Sequence, residues 1–505
     1  MSYATLHTRA KHGVTAPLVC VEVHISSGLP GFNIIGLAET ALKESRDRVR
    51  SALMASHFEF PMQRITVNLA PAELPKSGGH YDLAIALGIL IASGQLTTAD
   101  LNSYEFIGEL GLNGELRAAQ GLLPAALACS DAEHTLICAK QHSIPSVLLN
   151  TVSGFCANHL LEVSAHLQQR QALPSLNESM ATLSECEQED HRCGDIAEVV
   201  GQSSAKRALL IAASGGHNLL FSGPPGSGKT MLASRLPTLL PPLGEHEFRE
   251  VAIIYALAQQ ALPTPLYQPP FRAPHHSASA TALVGGGSHP QPGEVSLAHR
   301  GVLFLDELAE YPKHTLDLLR EPLESGEINI IRTRASALFP AQFQLIAATN
   351  PCPCGYAPSS RCQCGREQIR RYRARLSGPL LDRIDLQVEV AALGAQELTA
   401  GELANNKQGP SSAELRSEVV RCHKIQMARQ KKLNAQLNRA ELEHFCPLED
   451  DQRTLLGSAV ERYNLSARSY YRILRVMRTL ADLRQAEHCS LDDLYEALSL
   501  RMGEM

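Results

Sequence analysis

Residues 218–240 read NLLFSGPPGSGKTMLASRLPTLL. Gly223, Pro224, Pro225, Gly226, Ser227, Gly228, Lys229 and Thr230 match the pattern G-x-x-x-x-G-K-[ST]. The chemistry of phosphate binding calls for these residue types. Glycines let successive backbone N–H groups converge on a phosphate without Cβ clashes, and the helix that follows turns its positive end toward the anion. Lys229 is placed for the β- and γ-phosphates, and Thr230 offers a hydroxyl to Mg²⁺. The context agrees: an apolar strand at Asn218–Ser222 leads in, and a helix from Lys229 to Leu240 leads out before Pro241 and Pro242 stop it. Strand, glycine loop and helix are the opening of a parallel α/β sheet.

Further strands are expected at Val302–Leu305 and Gln344–Ala348, continuous apolar runs of the kind covered on both faces. The first ends in Asp306-Glu307. Asp306 is read as a Mg²⁺ ligand and Glu307 as the base that polarises the attacking water. Asn350, at the end of the second, is placed to orient the same water. The expected small molecules are therefore ATP and Mg²⁺.

Around this block, residues 1–165 read as a mixed α/β domain. Strands are expected at Val19–Ile25, Arg64–Leu69 and Leu136–Ala139, with helices at Leu37–Ala55 and Tyr81–Ser93. Residues 166–195 are polar and aperiodic and read as a linker. Residues 196–392 form the nucleotide-binding core, and 393–505 a helical domain with apolar spacing at Leu465–Leu483 and a last helix at Leu491–Met502.

The chain has 505 residues and a formal net charge of −6, so bulk charge announces no nucleic-acid partner and any such role must come from local patches. The longest apolar run, Leu83–Ala92, is too short to span a membrane. The N-terminus lacks the apolar core of a secretory signal, and the 13 cysteines then read as reduced thiols of a cytoplasmic protein. Four of them, Cys352, Cys354, Cys362 and Cys364, form two C-x-C pairs. Four thiolates so close in sequence can close a tetrahedral zinc site, although structural sites more often use C-x₂₋₄-C, and a reduced, unligated loop fits the same spacing.

The segments GPPGSGKT, VLFLDE, LIAATNP, SGPLLDRIDL and SARSYYRILRVMRTLADL together resemble the magnesium-chelatase-like AAA+ proteins, and within them the ComM/YifB family of competence-related proteins. Residues 28–53, 271–287 and 292–308 carry the same resemblance, which covers nearly the whole chain. It implies an α/β AAA+ P-loop domain with a parallel sheet and a helical lid, assembled as a homohexameric ring with ATP between subunits. Arg383 matches the arginine finger that reaches a neighbour's γ-phosphate, and Arg468 the sensor arginine of the lid. Arg383 also fits a surface ion pair with the aspartates flanking it, and Arg468 the start of an amphipathic helix.

The resemblance further implies a DNA helicase or translocase, acting on single-stranded and branched DNA in the ring pore. Its role would be branch migration in natural transformation and homologous recombination, with recombination proteins as further partners. A magnesium-chelatase-type motor that remodels a protein is the other reading. In related rings, insertions at two points of the core project into the pore. Here these hold His275 and His276, and Arg332 and Arg334 in a segment that reads as a hairpin, so these four side chains are the expected DNA contacts. Two other basic stretches are Arg366, Arg370, Arg371, Arg373 and Arg375, and Arg421, Lys424, Arg429, Lys431 and Lys432; each also fits a solvated helix face.

Residues 71–94 and 107–128 resemble the Lon protease domain, a ribosomal S5 domain 2-like α/β fold. The catalytic pair of that family is missing. The alignment puts His80 at the nucleophilic serine and Leu123 at the catalytic lysine, with Ser77 as a displaced serine. The N-terminal domain is therefore expected to be catalytically inactive.

Overall fold

The computed structural model describes residues 2–501 apart from 37–38, 75, 77, 99–100, 141–143, 180–193, 288–289, 333–334 and 393–408; at 39–43, 178–179, 332 and 335 it describes the backbone alone. Two compact units emerge. One comprises residues 1–188 with 252–261 and 331–338, the other the remainder.

The first unit is built on a seven-stranded sheet in the order Gly31–Ile35, Arg64–Ala70, Leu18–Ser26, Tyr3–Arg9, Tyr104–Ile107, Thr135–Ala139, Gly154–Ala157. The three expected strands and both expected helices, Glu39–Ala55 and Asp82–Ala92, are present within a few residues. Alternation decides the faces: Val19, Val21, Val23 and Ile25 are buried while their neighbours are not. The helix Asp82–Ala92 is apolar all round and buries every residue but Ile91, as a helix inside a core must. One buried ion pair crosses the sheet, Arg9 to Glu105 at 2.6 Å, with His134 at 2.8 Å from the same carboxylate.

The linker reading requires correction. Residues 160–167 form a helix, and Leu167, Leu173 and Leu176 are buried. The apolar residues are too widely spaced for a periodic signal, yet each finds the core. Residues 180–193 of the expected linker lie outside the described residues.

The second unit carries a five-stranded sheet in the order Phe271–Arg272, Val302–Leu305, Gln344–Thr349, Leu219–Ser222, Leu386–Glu389. All neighbours run parallel. The carboxyl ends of Leu219–Ser222, Val302–Leu305 and Gln344–Thr349 therefore open on one edge, the place where parallel α/β sheets bind ligands. The expected hairpin is present as Glu327–Arg332 paired with Ala335–Pro340.

The helical domain follows, with helices Ser412–Gln430, Arg439–Phe445, Asp450–Tyr463, Ala467–Leu483 and Leu491–Ser499. Its apolar stripe (Ile473, Val476, Met477, Leu480) is buried as the spacing predicts. Buried among these helices is a charge cluster that the pattern does not reveal. Asp482, fully buried, accepts from Arg429 at 2.6 and 2.8 Å, from Arg478 at 2.8 Å and from Asn434 at 2.8 Å. Asp482→Ala leaves two guanidinium groups without their carboxylate, and removing one partner of a buried pair costs about 3–5 kcal/mol. The expected outcome is a clear fall in the urea midpoint of this unit, followed by far-UV circular dichroism.

Candidate functional site

The phosphate loop leaves the strand Leu219–Ser222 and enters the helix Lys229–Leu239. Gly228, immediately before the helix, has φ +89°, a conformation that side chains with a Cβ resist. This turn aims the Lys229 side chain back across its own loop. Its ammonium donates to Gly223 O at 2.7 Å, Pro224 O at 2.8 Å and Asn350 Oδ1 at 3.2 Å. Burial lowers its pKa, and the carboxylates of Asp306 and Glu307 act in the opposite sense.

The neighbouring strands supply the acids. Thr230 Oγ1 donates to Asp306 Oδ2 at 2.6 Å, so the two oxygens read as Mg²⁺ ligands already face each other. A hydroxyl and a carboxylate at that spacing suit a small, hard cation that keeps most of its water. When bound, Mg²⁺ would neutralise charge on the phosphate oxygens. Glu307 has a left-handed backbone, φ 49°, which turns its side chain out of the strand direction. The carboxylate is half exposed and lies 3.1 Å from His276 Nδ1. Asn350, at the end of the adjacent strand, closes the group through Lys229. Lys229, Thr230, Asp306, Glu307 and Asn350 are thus brought together from three strand ends.

His276 was expected on DNA. The structure places it against Glu307, with Tyr311 edge-on at 6.5 Å between ring centroids. His275 lies against His276 with ring centroids 4.1 Å apart and bonds Ser277 Oγ at 2.8 Å. Nothing in the spacing of these residues signals a partner so distant in sequence.

Arg383 and Arg468 sit elsewhere in the same unit. Arg383 has a side chain 7% exposed, donates to Pro379 O at 2.6 Å and pairs with Glu324 Oε1 at 2.5 Å. Arg468 approaches the same Glu324 oxygen at 3.5 Å. Both arginines therefore meet on Glu324, an acid that sequence reasoning passed over because nothing in Pro322–Ser325 marks it. Arg383 pairs with this carboxylate and not with its flanking aspartates. The two residues that follow it are held from the lid: Arg501 donates to Ile384 O and Arg472 pairs with the Asp385 carboxylate, each at 2.5 Å. Burial would raise the Asp385 carboxyl, but Arg472 and His217 beside it hold it well below its ordinary range.

Of the remaining expected contacts, Arg332 is described by its strand backbone alone and Arg334 lies outside the described residues. Arg370 and Arg371 are well exposed and pair with Glu367, whereas Arg429 belongs to the Asp482 cluster and Lys432 pairs with Glu441 at 2.6 Å. The second basic stretch is in part structural. Cys352, Cys354, Cys362 and Cys364 converge, their four Sγ atoms all within 4.8 Å of one another.

In the protease-like region the structure describes two of the three positions singled out. His80 is buried, its Nε2 is 3.1 Å from Arg9 O, and burial together with the charge of Lys11 pulls its pKa down to about 3. Leu123 is fully buried in the core. Ser77 lies outside the described residues.

The family described as "Magnesium chelatase, subunit ChlI" matches residues 195–398. "Subunit ChlI of Mg-chelatase" matches 21–142, and "Magnesium chelatase, subunit ChlI C-terminal" matches 409–501. The competence protein ComM of Haemophilus influenzae is 49% identical over 99% of this chain and 98% of its own length. YifB of Salmonella typhimurium is 47% identical over 99% and 97%. The magnesium-chelatase 38 kDa subunit of Cereibacter sphaeroides is 28% identical over 38% of this chain and 57% of its own. Full-length similarity, together with the phosphate loop and its acids on a parallel sheet, makes this chain a member of the ComM/YifB family of magnesium-chelatase-like AAA+ ATPases.

Proposed function

We propose that this protein is a ring-forming DNA motor, a homohexamer in which ATP hydrolysis drives unwinding and branch migration. By this reading it helps incoming single-stranded DNA integrate during natural transformation, in the cytoplasm and alongside recombination proteins. The observation that carries it is the similarity to a competence protein over essentially the full length of both chains. No helix among the described residues is long and apolar enough to cross a membrane. The test is ATPase and strand displacement on single-stranded, duplex and branched DNA. Stimulation of hydrolysis by DNA, with strand displacement lost in Lys229→Ala, is the expected result. Hydrolysis indifferent to every DNA would instead favour a motor that remodels a protein partner, the reading suggested by the three ChlI-named matches.

Within this proposal the hairpin Glu327–Arg332 and Ala335–Pro340 carries the DNA grip through Arg332 and Arg334, with His275 and His276 as further contacts. Arg332→Ala combined with Arg334→Ala removes two phosphate contacts, so the slope of log affinity against log salt should fall by about 1.4 for single strands. Basal ATPase should stay close to wild type. Equal loss of binding, unwinding and basal hydrolysis would show a damaged fold instead.

A further inference from the structure

The segment from Pro351 to Gly365 joins Asn350 to the helix Arg366–Arg373 with no regular secondary structure of four residues or more. It holds the four converging cysteines. Cys352 Sγ is 3.3 Å from Cys354 Sγ and 3.8 Å from Cys362 Sγ, and Cys354 Sγ is 3.6 Å from Cys362 Sγ. A zinc ion with Zn–S bonds of about 2.3 Å spaces its sulfurs about 3.8 Å apart along the edges of the tetrahedron. The match is to one metal ion. An iron–sulfur cluster sets several atoms between its thiolates and needs a wider cage. The loop also turns backbone donors toward sulfur: Ala357 N–H donates to Cys352 Sγ at 3.3 Å. Cys352 is completely buried, and the four are free thiols among the described cysteines.

The position of this loop gives the site its consequence. Gly355, between the two cysteine pairs, has φ +83°, and a Cβ there would sit 2.4 Å from Pro225 Cδ. The cysteine turn therefore lies directly on the phosphate loop. From the other side, Arg373 donates to Pro351 O at 3.4 Å. A loop of this length with few apolar side chains has little packing energy to hold it in one conformation, and a bound metal supplies that order.

We propose that Cys352, Cys354, Cys362 and Cys364 hold one Zn²⁺, and that the metal-closed turn is the rigid backing of the phosphate loop at Pro225, so that nucleotide affinity depends on the metal. The proposal rests on the reading of residues 223–230 as the nucleotide site. The two fail separately in one experiment, in which full-length protein purified without chelator is analysed for metal and titrated with fluorescent ADP. Wild type should contain about one zinc per chain, and its cobalt-substituted form should show the intense visible bands of a four-thiolate site. Cys362→Ser combined with Cys364→Ser should lose the metal and bind ADP at least about tenfold more weakly. Cys364→His keeps four donors and should retain both metal and affinity.

Wild type with well under one metal ion per chain overturns the site. A double variant that lacks metal yet binds ADP like wild type overturns the coupling. Where the double variant loses its far-UV signal, Cys364→His decides: folded and zinc-loaded but weak in ADP binding, it refutes the coupling. If wild type itself binds no ADP, or Lys229→Ala binds it equally well, the nucleotide reading fails while the metal count stands.

Discussion

Glu307→Gln should bind ATP and fail to turn it over. The substitution keeps the shape of the side chain and its left-handed position after Asp306, and removes only the basic carboxylate. Lys229, Thr230 and Asp306, to which we assign the phosphates and the metal, are left as they are. General-base assistance is worth on the order of 10²–10⁴ in rate. We therefore expect turnover to fall by that factor while the dissociation constant for nucleotide stays at the wild-type value. Steady-state phosphate release and equilibrium ATP binding, measured on the same preparation, separate the two. Turnover near wild type would remove Glu307 from the base role. The His276 contact adds a second reading of the same site. An imidazole 3.1 Å from the carboxylate competes with water for it, so His276→Ala should raise hydrolysis without DNA if that contact restrains Glu307, and leave it unchanged if it does not.

Arg383→Ala has the other large expected effect. An arginine that reaches the transition state from a neighbouring subunit is worth about 10³–10⁵ in rate. In the single chain its guanidinium is held by Glu324 and Pro379 O, so reaching a neighbour's phosphate requires it to leave that carboxylate. A structural role would show differently, as a lowered melting temperature with turnover per folded chain preserved. Mixing distinguishes the two without ambiguity. Lys229→Ala lacks the phosphate lysine and Arg383→Ala lacks the finger, so each alone should be inactive. In mixed rings made from equal amounts, about one site in four pairs an intact lysine with an intact neighbouring arginine. Recovery of about a quarter of wild-type turnover is the expected result for independent sites, and no recovery would place Arg383 in its own chain's structure.

The site was legible to different depths. Gly223–Thr230 could be read directly because phosphate chemistry dictates both residue type and spacing over eight consecutive positions. The position of Asp306, Glu307 and Asn350 beside that loop could be anticipated because they follow apolar runs, and parallel strands deliver their carboxyl ends to one edge. Glu324 and His276 could not. Each acts through a contact with a residue far along the chain, and no local period or motif encodes such a meeting. The buried Asp482 cluster was hidden for the same reason: Arg429 looks like one more cation in a basic stretch until its partner is seen. The segment after Leu167 misled in the opposite direction, since isolated leucines in polar surroundings read as linker although three-dimensional packing buries them.

The sequence alone reveals the phosphate-loop motif and the parallel sheet beneath it, because local backbone geometry and strand periodicity are properties of neighbouring residues. It also placed four cysteines within one short loop. Only the tertiary structure decided that their sulfurs meet in one cage, that this cage leans on Pro225 of the phosphate loop, and that Arg383 and Arg468 share Glu324. Those are contacts between segments of one unit brought together by the burial of its apolar core, and burial selects which segments meet without leaving a mark at either one.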